Sequence, residues 1–188
     1  MTARGAGLAT LLLLTITVCC GALATRARTP GTRVIVQYVH RTTAALGLGV
    51  LTLHIATILA DSLAHVGVTG ALVPFTASYR ATWVGLGTIA AYLILVVSAL
   101  GLARGRMAGS ALGAAIWRGI HGMSYGAWGI ALVHGFMSGS DSGLIWVRLL
   151  YLACIGAVAT SIAYRSATEP APSTPPAAST PPRELVPR

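Results

Sequence analysis

Long apolar runs separated by short polar links dominate the hydrophobic pattern of this chain. Five of these runs reach the length of about 17–25 residues that an α-helix needs to cross a bilayer. They are Leu8–Ala24, Arg41–Ala64, Trp83–Leu102, Ala115–Met137 and Leu144–Tyr164. The second run extends back towards Val34, because residues 34–39 are largely apolar. The pattern therefore predicts an all-α membrane protein, with about five transmembrane helices bundled within residues 1–165.

The composition changes abruptly after the fifth run. Residues 166–188 are rich in proline, serine, threonine and alanine, and such a segment cannot bury a core. We predict a disordered cytoplasmic tail here. Its end, Leu185 to Arg188, resembles the remnant of a protease-cleaved purification tag.

Composition and charge restrict the kinds of partner that this chain is expected to bind. Hydrophobic residues make up 55% of the chain and charged residues only 9%. The formal net charge of +9 comes from 13 basic residues, all of them arginine, against four acids. A basic balance can indicate nucleic-acid binding, but here most arginines lie at the ends of apolar runs, where membrane topology uses them. We expect the partner to be the lipid bilayer, and no nucleic acid.

The arginines also predict an orientation in a bacterial cell membrane. The basic residues around the first and third links are Arg26, Arg28, Arg33, Arg41, Arg104, Arg106 and Arg118. The positive-inside rule puts these links and the C-terminus in the cytoplasm and the N-terminus outside. The first run could instead be a signal peptide cleaved near Ala24. Cleavage would leave the arginine-rich stretch 26–41 outside, so we favour a retained helix.

Two histidine pairs lie inside the apolar runs. Thirteen residues separate His40 from His54 in the second run, and twelve separate His121 from His134 in the fourth. At about 1.5 Å per residue, each pair spans roughly 20 Å. The two runs are parallel, because one span lies between them. His40 and His121 therefore share the cytoplasmic level, and His54 and His134 share the outer level.

Histidines at two matched depths predict a haem site. Neutral imidazole is a good axial ligand, and two histidines give a six-coordinate haem iron suited to electron transfer. Ionisable residues within spans are rare and usually functional. We predict two stacked b-type haems, one held by His40 and His121 and the other by His54 and His134. His65, without a counterpart, is interpreted as an interfacial residue.

The angular positions of the two histidines in the fourth run lead to a further expectation about its helix. At about 100° per residue, its two histidines point about 140° apart, whereas those of the second run agree within about 40°. The fourth run is therefore expected to be overwound or bent, or its rings reach the haems from different sides. Gly126 and Gly129 lie between these histidines, and glycine lowers the energetic cost of distorting a helix.

Three arginines are candidates for binding haem propionates. Arg41 follows His40, Arg118 precedes His121 by one turn, and Arg80 lies in a predicted outer loop. Arginine binds carboxylates through paired, charge-assisted hydrogen bonds. Positive-inside anchoring explains Arg41 and Arg118 equally well, and both interpretations stay open. No catalytic residue is predicted.

Several short segments of the chain carry a resemblance to a known family. They are His40–Ala44, Leu53–Ile55, Val73–Arg80, Trp117–His121, Ser124–Trp128, Leu132–Gly135 and Ser138–Asp141. They resemble compact actinobacterial members of the ferric reductase-like transmembrane domain superfamily. That superfamily includes ferric reductases, NADPH oxidases and the haem subunit of bacterial methionine sulfoxide reductase systems. The likeness covers about residues 38–160, and the histidine spacing is its most specific part.

The resemblance implies a transmembrane di-haem cytochrome b that passes electrons from a cytoplasmic donor to an acceptor on the outer face. The family core usually has six spans, and larger relatives carry a cytoplasmic FAD- and NADPH-binding region that has no counterpart here. The donor is then a separate flavoprotein, an iron–sulfur reductase or quinol. The acceptor is a ferric complex, oxygen or a flavin-carrying protein. Enzyme and electron-transfer subunit both remain open.

Two alternative functions are compatible with the same residues. The chain could be the quinol-oxidising haem subunit of a periplasmic reductase. It could also be a non-haem transporter or assembly subunit, whose histidines bind a free metal ion or line a proton path.

Overall fold

The computed structural model describes residues 2–61 and 64–168, and the regular elements in this part of the chain are all helical. They are α1 (Thr2–Ala24), α2 (Pro30–Ala60), α3 (Gly67–Leu72), α4 (Ala81–Met107), α5 (Ala111–Gly122), α6 (Ser124–Ser138) and α7 (Ile145–Ala167). The predicted all-α class is therefore confirmed. Most of the predicted tail, including the proposed tag remnant at Leu185 to Arg188, lies outside the described residues.

Four of the helices are long and apolar enough to cross a membrane. They are α1 from Ala3, α2, α4 and α7, which correspond to the first, second, third and fifth predicted runs. The fold is thus compatible with a multi-pass membrane protein. Helices α1, α2 and α4 begin earlier than the predicted runs, whereas α7 begins one residue later and continues to Ala167, two residues beyond the predicted boundary of the tail.

The fourth predicted span, Ala115–Met137, is wrong as a continuous helix. Met123 separates α5 from α6, and its N–H donates to the Ile120 carbonyl three residues back (3.0 Å). This is the tighter hydrogen bond of a 3₁₀ turn, which overwinds the chain locally. The distortion that the histidine spacing predicts is therefore present, but it lies at Met123 rather than at Gly126 or Gly129.

Helix caps explain where α2 begins. The Thr29 hydroxyl accepts a hydrogen bond from the Thr32 N–H (3.2 Å), and Pro30 occupies the first turn, where its missing N–H costs nothing. His40 therefore lies well inside α2 rather than near its start. At the other end α2 stops at Ala60, so His65 lies in the following link, exposed and with φ of 50°.

The bundle is organised around α1. This helix packs along α2 and also contacts α6 and α7, while α4 packs against α5 and α6. Two buried clusters join these elements. One contains Leu11, Val147, Tyr151 and Cys154, and the other contains Leu14, Ile94 and Ala127. Helix α1 is therefore an integral part of the core of the bundle.

Helix α2 lies at the edge of the bundle. It rests on α1, makes few contacts with α4, and makes fewer still with α5 and α6. Its outward face carries exposed apolar side chains such as Tyr38, Leu46 and Leu53, as expected for a helix that faces lipid. The α2 backbone thus stands apart from α5 and α6, and histidine rings project between them.

Candidate functional site

Four half-buried histidines face one another in two pairs. His40 on α2 faces His121 on α5, with ring centres 6.1 Å apart and an interplanar angle of 64°. His54 on α2 faces His134 on α6, with ring centres 6.5 Å apart and an angle of 73°. These are the two pairs that the sequence places at common depths. They are called the His40 pair and the His54 pair below.

The separation of the rings suits two ligands of one metal ion. Two metal–imidazole bonds of about 2.0–2.1 Å, with half a ring on either side, give about 6 Å between ring centres. Edge-to-face aromatic contacts also lie at about 4.5–7 Å, so the distance alone does not assign a role. The hydrogen bonds of the rings are a second observation that bears on their role.

Three of the four rings donate a hydrogen bond to a backbone carbonyl on a neighbouring helix. The Nδ1···O distances are 2.8 Å from His40 to Thr17, 2.8 Å from His54 to Ala3, and 2.7 Å from His134 to Trp83. A carbonyl can only accept, so the ring proton is on Nδ1 and Nε2 keeps its lone pair. This is the arrangement of metal-bound histidines, whose second nitrogen is held by a carbonyl or carboxylate.

His121 is held differently. Its Nδ1 is buried and lacks a hydrogen-bond partner, and the Val97 backbone on α4 lies near the ring. The ring instead stacks on Trp117, with centres 4.7 Å apart and planes 15° from parallel. Trp117 is fixed in turn by a bond from its Nε1 to the Leu100 carbonyl (3.1 Å), and the Arg104 guanidinium lies 4.9 Å from its ring centre.

The donor set is incomplete for a bare metal ion. Among residues 2–61 and 64–168, no group of three or more histidine, cysteine, aspartate or glutamate side chains is placed to hold one. A structural zinc ion needs four protein ligands. A haem supplies four nitrogens of its own and takes only two axial ligands from the protein. Two histidines per site therefore fit the needs of a haem.

A small cavity lies within the bundle. Its volume is about 50 Å³, and it is lined among others by Thr17, Val97 and Trp128. It has room for a few water molecules at most. The histidine rings meet outside this cavity, where α2 stands apart from α5 and α6.

The three candidate propionate-binding arginines are not brought together. Arg41 and Arg118 are exposed and form no hydrogen bond or ion pair with the described residues. Arg80 donates a hydrogen bond to the Met137 carbonyl near the end of α6, and its guanidinium lies 5.5 Å from the ring centre of Tyr79. Their role towards propionates stays a prediction.

The partners that α1 and α4 supply to the histidines could not be recognised in the sequence. A backbone carbonyl exists at every position, so no residue type marks those of Ala3, Thr17 and Trp83. A glycine lies against each histidine ring as well: Gly7, Gly21, Gly87 and Gly101. Gly7 and Gly21 are 14 positions apart, as are Gly87 and Gly101, and the same spacing separates His40 from His54. That shared spacing is the signal that could have revealed them.

No protein-family model, curated protein or solved structure matches the chain. The resemblance that the sequence suggests therefore stays a prediction.

Proposed function

We propose that this protein is a transmembrane di-haem cytochrome b, similar to the ferric reductase-like domain, that passes electrons from a cytoplasmic donor to an acceptor on the outer face. The observation that carries the proposal is the pair of facing histidine rings at each of two levels, 6.1 Å and 6.5 Å apart. The His40 pair would hold the haem nearer the cytoplasm, and the His54 pair the other.

The hydrogen bonds support haem ligation over a packing role. Three rings have Nδ1 tied to a carbonyl, which directs Nε2 away from the supporting helix as an acceptor. No Nε2 of the four rings has a hydrogen-bond partner among the described residues. A histidine that served only to pack helices would be expected to satisfy both nitrogens within the bundle.

The number of ligands favours haem over a transported metal ion. A transporter site would be expected to gather three or more donors around one ion. Here two donors meet at each level, and the levels are joined by an apolar cluster around Leu14, Ile94 and Ala127.

The protein itself would contribute ligation and orientation. Bound haem would supply reversible one-electron chemistry at its iron. Carbonyls of α1 and α4 hold the protons of His40, His54 and His134 on Nδ1, and apolar side chains lie between the two levels. Electrons would come from a separate flavoprotein, an iron–sulfur reductase or quinol, and go to a ferric complex, oxygen or a flavin-carrying protein.

The proposed orientation rests on the distribution of arginines. Arg26, in the link between α1 and α2, donates to the Arg165 carbonyl near the end of α7 (2.9 Å), so these basic segments share one end of the bundle. Arg104 and Arg106 lie in the last turn of α4, which ends on the same side as α1. We infer that this end faces the cytoplasm of a bacterial cell.

A haem assay and a spectrum test the proposal. The purified full-length protein should contain two haems b per chain by the pyridine haemochrome method, and dithionite should give the spectrum of a low-spin, bis-histidine cytochrome. A folded protein without haem would contradict the proposal and favour the transporter. One haem per chain would show that only one histidine pair binds iron.

A further inference from the structure

The supports of the four histidines follow one repeated pattern on α1 and α4. Each ring faces a backbone carbonyl and a glycine four residues later. The carbonyl and glycine positions are Ala3 with Gly7, Thr17 with Gly21, Trp83 with Gly87, and Val97 with Gly101. We call each carbonyl together with its glycine a unit. On each helix the second unit lies 14 positions after the first. Helix α1 thus serves the two histidines of α2, and α4 serves those of α5 and α6.

The geometry of an α-helix explains why glycine stands at the fourth position. The carbonyl of residue i accepts from the N–H of residue i+4, so the side chain of residue i+4 stands close to that oxygen. The carbonyl oxygen still has a second lone pair. A histidine ring that packs directly against the helix at residue i+4 leaves little room for a side chain there, and glycine provides this opening.

The fit is tight at three of the four units. A Cβ atom added at Gly87 would lie 2.5 Å from the His134 ring, and one at Gly7 would lie 3.1 Å from the His54 ring. The corresponding distance from Gly21 to the His40 ring is 3.3 Å. At Gly101 the nearest His121 atom is 3.8 Å away, an ordinary contact, and this is the unit whose hydrogen bond is not formed.

Ordinary packing of small residues does not account for this pattern. Small residues in membrane helices usually let two helices approach each other. Gly47 is of that kind, because a Cβ there would touch Leu13 and Leu14 at 3.6–3.8 Å. Gly49, Gly126 and Gly129 would meet nothing within 4 Å. Only the four glycines of the repeat lie against histidine rings.

We infer that Gly7, Gly21 and Gly87 are positioning residues that open the α1 and α4 backbones, so that a carbonyl fixes each histidine with its proton on Nδ1 and its Nε2 directed outward. Gly101 occupies the corresponding position in the fourth unit, but its histidine ring lies farther away and the hydrogen bond is not formed. The expected effect on haem binding rests on the proposed function. The tautomer and the position of each histidine ring do not depend on it.

Alanine substitutions test the inference, with a control on the same helix as His134. In the full-length haem-loaded protein, Gly87→Ala should displace the His134 ring. Disturbing a partner of a metal-binding histidine typically lowers metal affinity 10–100-fold, and we expect a loss of that order for the haem of the His54 pair. The other haem should keep its electron paramagnetic resonance signal and its reduction potential. Gly129→Ala, in open space, should leave both haems unchanged.

The remaining variants give a graded series. Gly7→Ala should disturb the same haem less than Gly87→Ala, Gly21→Ala should disturb only the haem of the His40 pair, and Gly101→Ala should have the smallest effect. If Gly87→Ala does not accumulate in membranes, Gly7→Ala replaces it. Unchanged haem content, resonance signals and potentials in both Gly87→Ala and Gly7→Ala would overturn the inference while leaving the cytochrome proposal intact.

A measurement on protein prepared without haem separates the two ideas fully. Imidazole ¹⁵N nuclear magnetic resonance should find His54 and His134 with the proton on Nδ1, and Gly87→Ala should shift His134 towards the other tautomer. Wild-type rings with the proton on Nε2 would overturn the inference. A wild-type protein that shows the expected tautomers but never binds haem would support the inference and contradict the proposed function.

Discussion

The His40 pair and the His54 pair use the same residue type but hold it in different ways. Both rings of the His54 pair donate to carbonyls, at 2.8 Å and 2.7 Å, and the Ser138 hydroxyl lies 3.4 Å from Nδ1 of His134. In the His40 pair only His40 has such a bond. His121 relies on stacking against Trp117, with its own Nδ1 buried and unpaired.

The difference follows from where each histidine lies in its helix. His134 is inside α6, one turn before its end, and lies against α4 close enough to reach the Trp83 carbonyl. His121 lies in the last turn of α5, two residues before the break at Met123. The ring there stands farther from α4, as the wider clearance at Gly101 also shows. A hydrogen bond fixes rotation and tautomer, whereas stacking fixes mainly the plane of the ring.

The largest expected effect is the loss of one haem from each single histidine variant. His54→Ala or His134→Ala should remove the haem of the His54 pair and leave the other visible in the dithionite-reduced spectrum. His40→Ala or His121→Ala should do the reverse, because each haem needs both axial ligands to stay six-coordinate. The haemochrome assay should fall from two haems per chain to about one.

His65→Ala is the matched control for these variants, because His65 is exposed in the link after α2. It should leave the haem content unchanged. If His65→Ala lost a haem while His54→Ala kept both, the division into these two pairs would be wrong.

The two pairs also show which features of the site could be predicted from the sequence and which could not. Spacing and depth were enough to pair His40 with His121 and His54 with His134, since they depend only on helical rise and on parallel runs. The position of the break at Met123 was not predictable, because a single 3₁₀ hydrogen bond leaves no trace in an apolar pattern. The carbonyls of Ala3 and Trp83 were invisible for a similar reason, since every residue carries one.

The fold, like the histidine site, could be predicted from the sequence only in part. Long apolar runs identified α1, α2, α4 and α7, because crossing a bilayer demands that length and composition. Their ends were less accurate, since caps such as Thr29 and Pro30 depend on single hydrogen bonds and backbone angles. The role of α1 as the support of both α2 histidines emerged only from packing.

An intermediate effect is expected from Trp117, and it should be confined to the His40 pair. Trp117→Leu removes the aromatic surface under His121. Aromatic pairs of this kind contribute about 0.5–1.5 kcal/mol, which corresponds to about a 2–12-fold loss of affinity for that haem. Haem titration of the membrane protein, with resonance signals to separate the sites, would measure it. Trp117→Phe keeps a stacking ring but loses the bond to Leu100, and should lie between.

Trp146→Leu serves as the control, because Trp146 is an exposed residue of α7 and does not contact a histidine. It should change neither haem. An equal loss at both sites in Trp117→Leu would mean that Trp117 supports the bundle as a whole rather than His121.

The smallest expected effect concerns the ion pair beside the His54 pair. Arg4 Nη1 lies 2.7 Å from Asp141 Oδ1, with the two side chains 54% and 32% exposed. The pair ties the start of α1, including the Ala3 carbonyl that holds His54, to the link before α7. Exposed pairs contribute only about 0–1 kcal/mol and are screened by salt. Arg4→Gln should therefore lower thermal stability slightly, and less so in concentrated salt.

The Arg4→Gln variant should affect the two histidine pairs differently. Any change in resonance signal should be confined to the haem of the His54 pair, because Ala3 supports only that pair. Asp141→Asn should reproduce the effect, and the double variant should add little, since the second substitution removes a partner already lost. Arg33→Gln, exposed at the opposite end of the bundle, is the control for charge. Complete loss of a haem in Arg4→Gln would show that the start of α1 is far less firmly held by packing than its contacts with α2 and α7 indicate.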